Sequence, residues 1–270
     1  MARTPEDKIW LYNSGLGSRL ERRWGLQHDS RLAQWFNERG VFHAQTMSAS
    51  IIRSFWRHLN SREIRLEEQI GGLQVSASEL AVYSDFFRFL PYEPSLEEDD
   101  NFLPAQHSPG SVQGEMLVLS PATGTQRWEA KDLATWERDT SAFLMNMFGG
   151  AGIRKETVTD FIHKNRMPAA MSTAIDGDFE VALLLPAIRR ELSAGASDDA
   201  DAYWDRFYDR FPKAMALMSF SRVGFDAKRT QAVLYADWAS GPRAGRGFFH
   251  FLVRVKGRWV IKSSFNTWIS

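Results

Sequence analysis

From Leu217 to Ile269 the chain alternates apolar and polar residues with a period of two, in run after run separated only by turn residues. Successive side chains of a strand point to opposite faces, so runs of this kind joined by short turns commit the segment to an antiparallel meander. In Gly247 to Val255 one face carries Phe249, Phe251, Val253 and Val255, and the other carries Phe248, His250, Leu252 and Arg254. The first face reads as dry and the second as mixed. Lys256-Gly257 supplies a tight turn, and Arg258 to Lys262 continue as the next strand. Upstream, Leu217 to Phe225 and Thr230 to Ala239 read as two more strands, joined by Asp226, Ala227, Lys228 and Arg229.

The remainder of the chain reads as mainly helical. Asp29 or Ser30 is placed to cap a helix carrying Leu32, Trp35 and Phe36 and ending at Gly40. A second helix follows Met47, with Ile52, Phe55, Trp56 and Leu59 as its apolar stripe and Asn60 as its stop. Glu63 to Ile70 adds a short helix that Gly71-Gly72 breaks, and this pair is the expected boundary between a small helical domain, 1–72, and an α+β domain, 73–270. Ser76 or Ser78 opens the next helix, through Tyr83, Phe86 and Leu90 to Pro91. Tyr92 to Gly114, with three prolines and the acidic run Glu97 to Asp100, reads as a long loop. Glu115 to Ser120 and Phe179 to Leu185 read as strands, and Leu133 to Phe148, Glu156 to Asn165 and Asp198 to Phe211 as helices. The expected fold is therefore α+β: a helical N-terminal unit followed by a helix-covered, mainly antiparallel sheet with a C-terminal meander.

The charge balance narrows the function. Thirty-three basic and 33 acidic residues give no net charge, which argues against bulk attraction to nucleic acid or an anionic membrane. The charge is unevenly spread: residues 1–72 sum to +3, 73–211 to −11 and 212–270 to +8. A basic C-terminal sheet thus sits beside an acidic middle, either as internal complements or as a ligand-binding face. With no cysteine there is no disulfide framework, thiolate nucleophile or cysteine metal site. The Arg3-Thr4-Pro5-Glu6-Asp7 start is not an apolar leader, and no run approaches the roughly 18 apolar residues of a membrane span. A cytoplasmic chain is the expectation, with its oligomeric state open.

No catalytic motif stands out. Gly-x-Ser-x-Gly and Ser-x-x-Lys are absent, and Gly149, Gly150 and Gly152 before Lys155 lack the core of a phosphate-binding loop. The six histidines are scattered without paired spacing, so neither a metal nor another cofactor is expected. Asp201, Asp205 and Asp209 alternate with Arg206 and Arg210 as a solvated helix face. Five ligand-binding candidates come from the strands. His250 shares the mixed face with Arg254 and is the best titrating group. Arg222, read as mid-strand, needs a carboxylate partner or an anionic ligand, with Asp237 available, and Tyr235 is a further polar group of the same sheet. Arg243 and Arg246, in the glycine-rich stretch from Ser240 to Gly247, are the anion-binding candidates; the same stretch also serves as a plain turn.

Two stretches resemble known groups. Residues 16–70, through Trp24-Gly25-Leu26, Leu32-Ala33-Gln34-Trp35-Phe36, Met47-Ser48 and Phe55-Trp56-Arg57-His58-Leu59-Asn60, resemble a small helical bacterial domain of unknown function. Residues 78–270 resemble an uncharacterised bacterial group, through Phe220-Ser221-Arg222-Val223-Gly224-Phe225, Gln231-Ala232-Val233-Leu234-Tyr235 and Lys256-Gly257-Arg258-Trp259. The strand pattern at the end is also similar to the cone-shaped sheets of the nuclear-transport-factor-like class, which implies an open pocket over the sheet. These resemblances import no activity. The leading expectation is a non-catalytic module binding a protein or small molecule. An enzyme with a pocket lined by the C-terminal sheet comes second, and anion or nucleic-acid binding by that sheet third.

Overall fold

The computed structural model describes residues 1, 3–28, 30–89, 116–124, 132–194 and 199–270. Asp29, Leu90 and Pro91, the acidic run Glu97 to Asp100 with the loop around it, and Asp198 lie outside the described residues.

The class is α+β. Two non-α helical turns, a 3-10 helix at Glu6–Tyr12 and a π turn at Asn13–Gly17, lead into α1 (Ser18–Arg23), α2 (Arg31–Asn37), α3 (Ala44–Leu59) and α4 (Leu66–Gly71). Ser30 caps α2 by accepting the Ala33 amide at 3.1 Å. Met47 of α3 packs with Leu26, Phe36, Val41 and Ile70, while Ile52 and Trp56 pack on Ile9. The stripe read from the sequence is split. Phe55 and Leu59 are 49% and 46% exposed, because the turns and helices around α3 cover the flank of Ile52 and Trp56 instead.

Next comes α5 (Ala77–Phe89), whose start is a capping box: Ser76 Oγ accepts the Glu79 amide at 3.3 Å, and the Glu79 carboxylate accepts the Ser76 amide at 2.9 Å. The strands are β1 (Met116–Leu119), β2 (Glu180–Leu183), β3 (Ala214–Phe220), β4 (Gly224–Phe225), β5 (Gln231–Gly241), β6 (Ala244–Val255) and β7 (Arg258–Ile269). They form one sheet in the order β2-β1-β3-β5-β6-β7, with β4 also paired to β5. β1 runs parallel to β2 and β3, and every later pairing is antiparallel. Among the described residues β7 is an outer strand.

Helices cover both faces. On one, Tyr83 and Phe86 of α5 pack on Phe220, Leu234, Leu252 and Trp259. On the other, α6 (Leu133–Phe148) and α7 (Lys155–Lys164) lie over Val233, Tyr235, Phe249 and Phe251, and α8 (Pro186–Ser193) and α9 (Ala200–Arg210) over Val118, Ala214 and Leu217. The β6 face that reads as mixed is therefore dry along Phe248, His250 and Leu252, because α5 seals it, and only Arg254 at its end is exposed. Helix α8 is not apparent in the sequence reading: Pro186, read as a strand stop, is the first residue of a helix, where its missing N–H costs nothing.

Two strand expectations are corrected. Leu217 to Phe225 is not continuous, since the ladder breaks at Ser221–Val223 between β3 and β4. And Ser240 to Gly247 is no loop: β5 and β6 run into it and leave only Pro242 and Arg243 outside the strands. Its glycines serve packing. A Cβ on Gly247 would overlap the Trp268 indole and the Tyr235 hydroxyl.

Gly224 has the same role at β4, where an added Cβ would overlap the Phe161 backbone of α7. Gly224→Ala is expected to cost about 1–3 kcal/mol by forcing α7 off the sheet. The urea midpoint measures this, and an unshifted midpoint would show that α7 yields freely.

Candidate functional site

The break between β3 and β4 is where three elements are tied together. Arg222 donates from Nε to Glu79 Oε1 at 3.0 Å and from Nη2 to Oε2 at 2.9 Å, and the Val223 amide adds a third bond to Oε1 at 3.2 Å. The Arg222 main chain is held by Asn165, whose Oδ1 accepts its amide at 2.8 Å and whose Nδ2 donates to its carbonyl at 3.0 Å. Side chains thus take the bonds a neighbouring strand would otherwise make, and this is why the ladder opens. Ser221 continues the substitution, its Oγ accepting the Tyr235 amide at 2.7 Å while its carbonyl accepts from Tyr83 at 2.8 Å. Burial pushes the Glu79 carboxyl up, but the hydrogen bonds and charge of Arg222 outweigh it and hold the group below the usual carboxylate range.

Arg222 also lines a cleft of about 290 Å³ between the N-terminal helices and the sheet-bearing part. One wall comes from the first turns and α3, through Asp7, Trp10, Asn13, Ser50 and Arg53; the opposite wall is the end of α7 and the residues after it. Ser50 and Arg53 are one helical turn apart and share a face of α3. Across the cleft, Arg166 stacks its guanidinium 4.6 Å from the Trp10 ring centre and pairs with Glu137 at 2.7 Å. Lys164 pairs with Asp160 at 2.8 Å. The seam is also crossed by Thr46 of α3, whose Oγ1 donates to the Pro168 carbonyl at 3.3 Å.

Two oxygens at this cleft are out of balance. Asn13 and Ser50 are 5% and 2% exposed, yet Asn13 Oδ1 and Ser50 Oγ have no hydrogen-bond partner among the described residues. Asn13 Nδ2, by contrast, donates to Met167 Sδ at 2.8 Å. A buried polar atom left unpaired costs about 1–3 kcal/mol, and because both oxygens lie just beneath the cleft surface, a ligand recovers that energy only where the wall opens slightly to let it reach them. Arg53 and Asp7 are exposed at the same cleft and make no hydrogen bond or ion pair among the described residues.

The candidates read from the strands do not converge there, Arg222 excepted. His250 is 1% exposed, lies edge-on to Phe86 and stacked on Phe248, and shares a 2.8 Å hydrogen bond between Nδ1 and Ser264 Oγ. Burial pushes its pKa down to about 3, so the ring is neutral. Tyr235, on the opposite face, accepts from Trp268 Nε1 at 2.7 Å, and burial followed by the Asp237 charge raises its hydroxyl pKa. Arg254 is exposed beside the β6–β7 turn and donates to the Gly257 carbonyl at 3.2 Å. Arg243 lies at the β5–β6 turn, and Arg246 sits 5.3 Å from the Trp238 ring centre. Arg243 and Arg254 therefore occupy opposite ends of β6, roughly 36 Å apart on extended-strand spacing, rather than one patch. Among the described residues no group of three His, Asp or Glu side chains is placed to hold a metal ion, and no helix is long and apolar enough to cross a membrane.

The sequence reading missed Asn13, Ser50 and Arg53. Their one signal was a serine and an arginine a helical turn apart beside an apolar stripe, and nothing in the sequence says that this flank meets the end of α7.

Residues 1–59 match a protein family described as Domain of unknown function (DUF6794). The matched segment supplies the Asp7, Asn13, Ser50 and Arg53 wall of the cleft. No curated protein and no solved structure matches the chain.

Proposed function

We propose that this protein is a non-catalytic binding module that takes a small molecule in the cleft between residues 1–72 and 73–270, treated as its two domains. The observation that carries this reading is the pair of sealed, unpartnered oxygens of Asn13 and Ser50 in a cleft of small-ligand size. The polar groups of the C-terminal sheet support an enzyme less well, since His250 is enclosed by aromatic rings and bonded to a serine. A basic nucleic-acid face is likewise weakened by the separation of Arg243 and Arg254 along β6.

The test is a thermal-shift screen of small polar compounds on the full chain and on Ala49→Trp, which fills the cleft from α3. A compound at about a hundred times its Kd is expected to raise the wild-type melting temperature on the order of 5 °C. Ala49→Trp should abolish the shift. Equal shifts in both proteins, or none in the wild type, would refute the cleft as a binding site.

A further inference from the structure

We propose that the ligand of this cleft is a small zwitterion with an apolar body, of the class of an apolar α-amino acid. This rests on the binding reading above and adds the chemistry of the occupant. The paired cations of the cleft are already neutralised: Arg222 by Glu79, Arg166 by Glu137 and Lys164 by Asp160. What is left is one cation, Arg53, which feels the Glu6 carboxylate without touching it and shares it with Arg57 and Arg62, and one anion, Asp7, both at the cleft and neither in a direct ion pair among the described residues. A ligand of one charge meets an unanswered like charge at one of them; a ligand with both charges answers both.

The sealed oxygens point the same way. Asn13 Oδ1 only accepts, so its missing partner is a donor, which an ammonium group provides; Ser50 Oγ also donates, which suits a carboxylate. Ser50 and Arg53 on one face of α3 then define the carboxylate end, and Asn13 with Asp7, on the first turns, the ammonium end. The walls between are apolar, with Ile9, Trp10, Leu73, Met167 and Pro168 facing the ligand body. A volume of about 290 Å³ admits one such molecule and lies at the lower limit for small-molecule sites, roughly 300 Å³.

Three probes of one shape separate the terms: leucine, 4-methylpentanoate, which lacks the ammonium, and 3-methylbutylamine, which lacks the carboxylate. Isothermal titration of the full chain is expected to show leucine binding at least about tenfold tighter than either analogue. Arg53→Ala, at an exposed position that leaves the core intact, should weaken leucine about tenfold and leave the amine unchanged. Asp7→Asn should weaken leucine and leave 4-methylpentanoate unchanged. Equal binding of the three probes, or leucine binding indifferent to both substitutions, would overturn the zwitterion while leaving a binding cleft in place. If none of the three binds while a compound from the screen shifts the wild type and not Ala49→Trp, the zwitterion again falls and the cleft stands. If ordered water alone partners Asn13 and Ser50 in crystals soaked with all of these compounds, both fall.

Discussion

Glu79→Ala is expected to remove about 3 kcal/mol of folding stability, because it leaves the Arg222 guanidinium, mostly out of water at the edge of the cleft, without its counter-charge. The carboxylate is enclosed and accepts five bonds, two from Arg222, one from the Val223 amide and two from Ser76. Those bonds join the start of α5 to the open rung between β3 and β4, so their loss releases a helix from the sheet as well as a charge. Arg222→Ala should cost nearly as much, and the double variant markedly less than the sum, since each change already removes the shared interaction. Urea unfolding of the four proteins measures the coupling. A single-variant cost below about 1 kcal/mol would mean that water replaces the missing partner with little loss. Glu79→Gln is informative beside it, because the amide keeps the shape but turns donors toward the guanidinium. The carboxyl is held below its ordinary pKa in the fold, so its contribution is present above the unfolded value of about 4.5 and disappears as pH falls through the folded one.

Acid should begin to destabilise the protein well before that carboxylate titrates. His250 is neutral in the fold, with its pKa depressed to about 3 from 6.5, so between these values the unfolded chain takes up a proton that the folded one refuses. Its contribution to stability therefore falls as pH drops below 6.5, by about 1.4 kcal/mol per unit, or about 2 kcal/mol by pH 5. Above pH 7 it has no pH dependence. The double substitution His250→Phe with Ser264→Ala, which removes the titrating ring and the hydroxyl bonded to it together, should flatten the stability profile between pH 6.5 and 5. Parallel profiles for the two proteins, from urea midpoints at each pH, would show that water reaches the ring.

The meander was legible because β5 and β6 are long runs of strand-forming residues, Ala232 to Tyr235 and Phe248 to Val255, with Lys256-Gly257 as a turn before the next strand, although β5 is buried on both faces and shows no period of two. The parallel part was only half legible: β1 and β2, at four residues each, look like any short apolar run, and β2 pairs with a strand more than sixty positions away. The β3–β4 break was hidden for a different reason. Its cause is Glu79, 143 residues before Arg222, so local pattern could say that Arg222 needs a carboxylate but not which one. Asp237 was the nearer choice and lies instead by Tyr235. His250 shows the converse limit, since alternation placed it on its face correctly, but only the arrival of α5 decides that this face is dry. The cleft was the least legible feature, being assembled from five separated stretches of chain whose residues carry no motif.

The outer position of β7 has a consequence for how copies of the chain meet. A strand of 12 residues with no strand beyond it among the described residues is a template on which an identical molecule can extend the sheet. Arg258 and Lys262 lie along it, with Lys256 in the turn just before, so two such borders brought together face one another with the same sign of charge. Repulsion at this rim then opposes such pairing, and salt, which screens it over about 10 Å at 0.1 M, is expected to weaken that opposition.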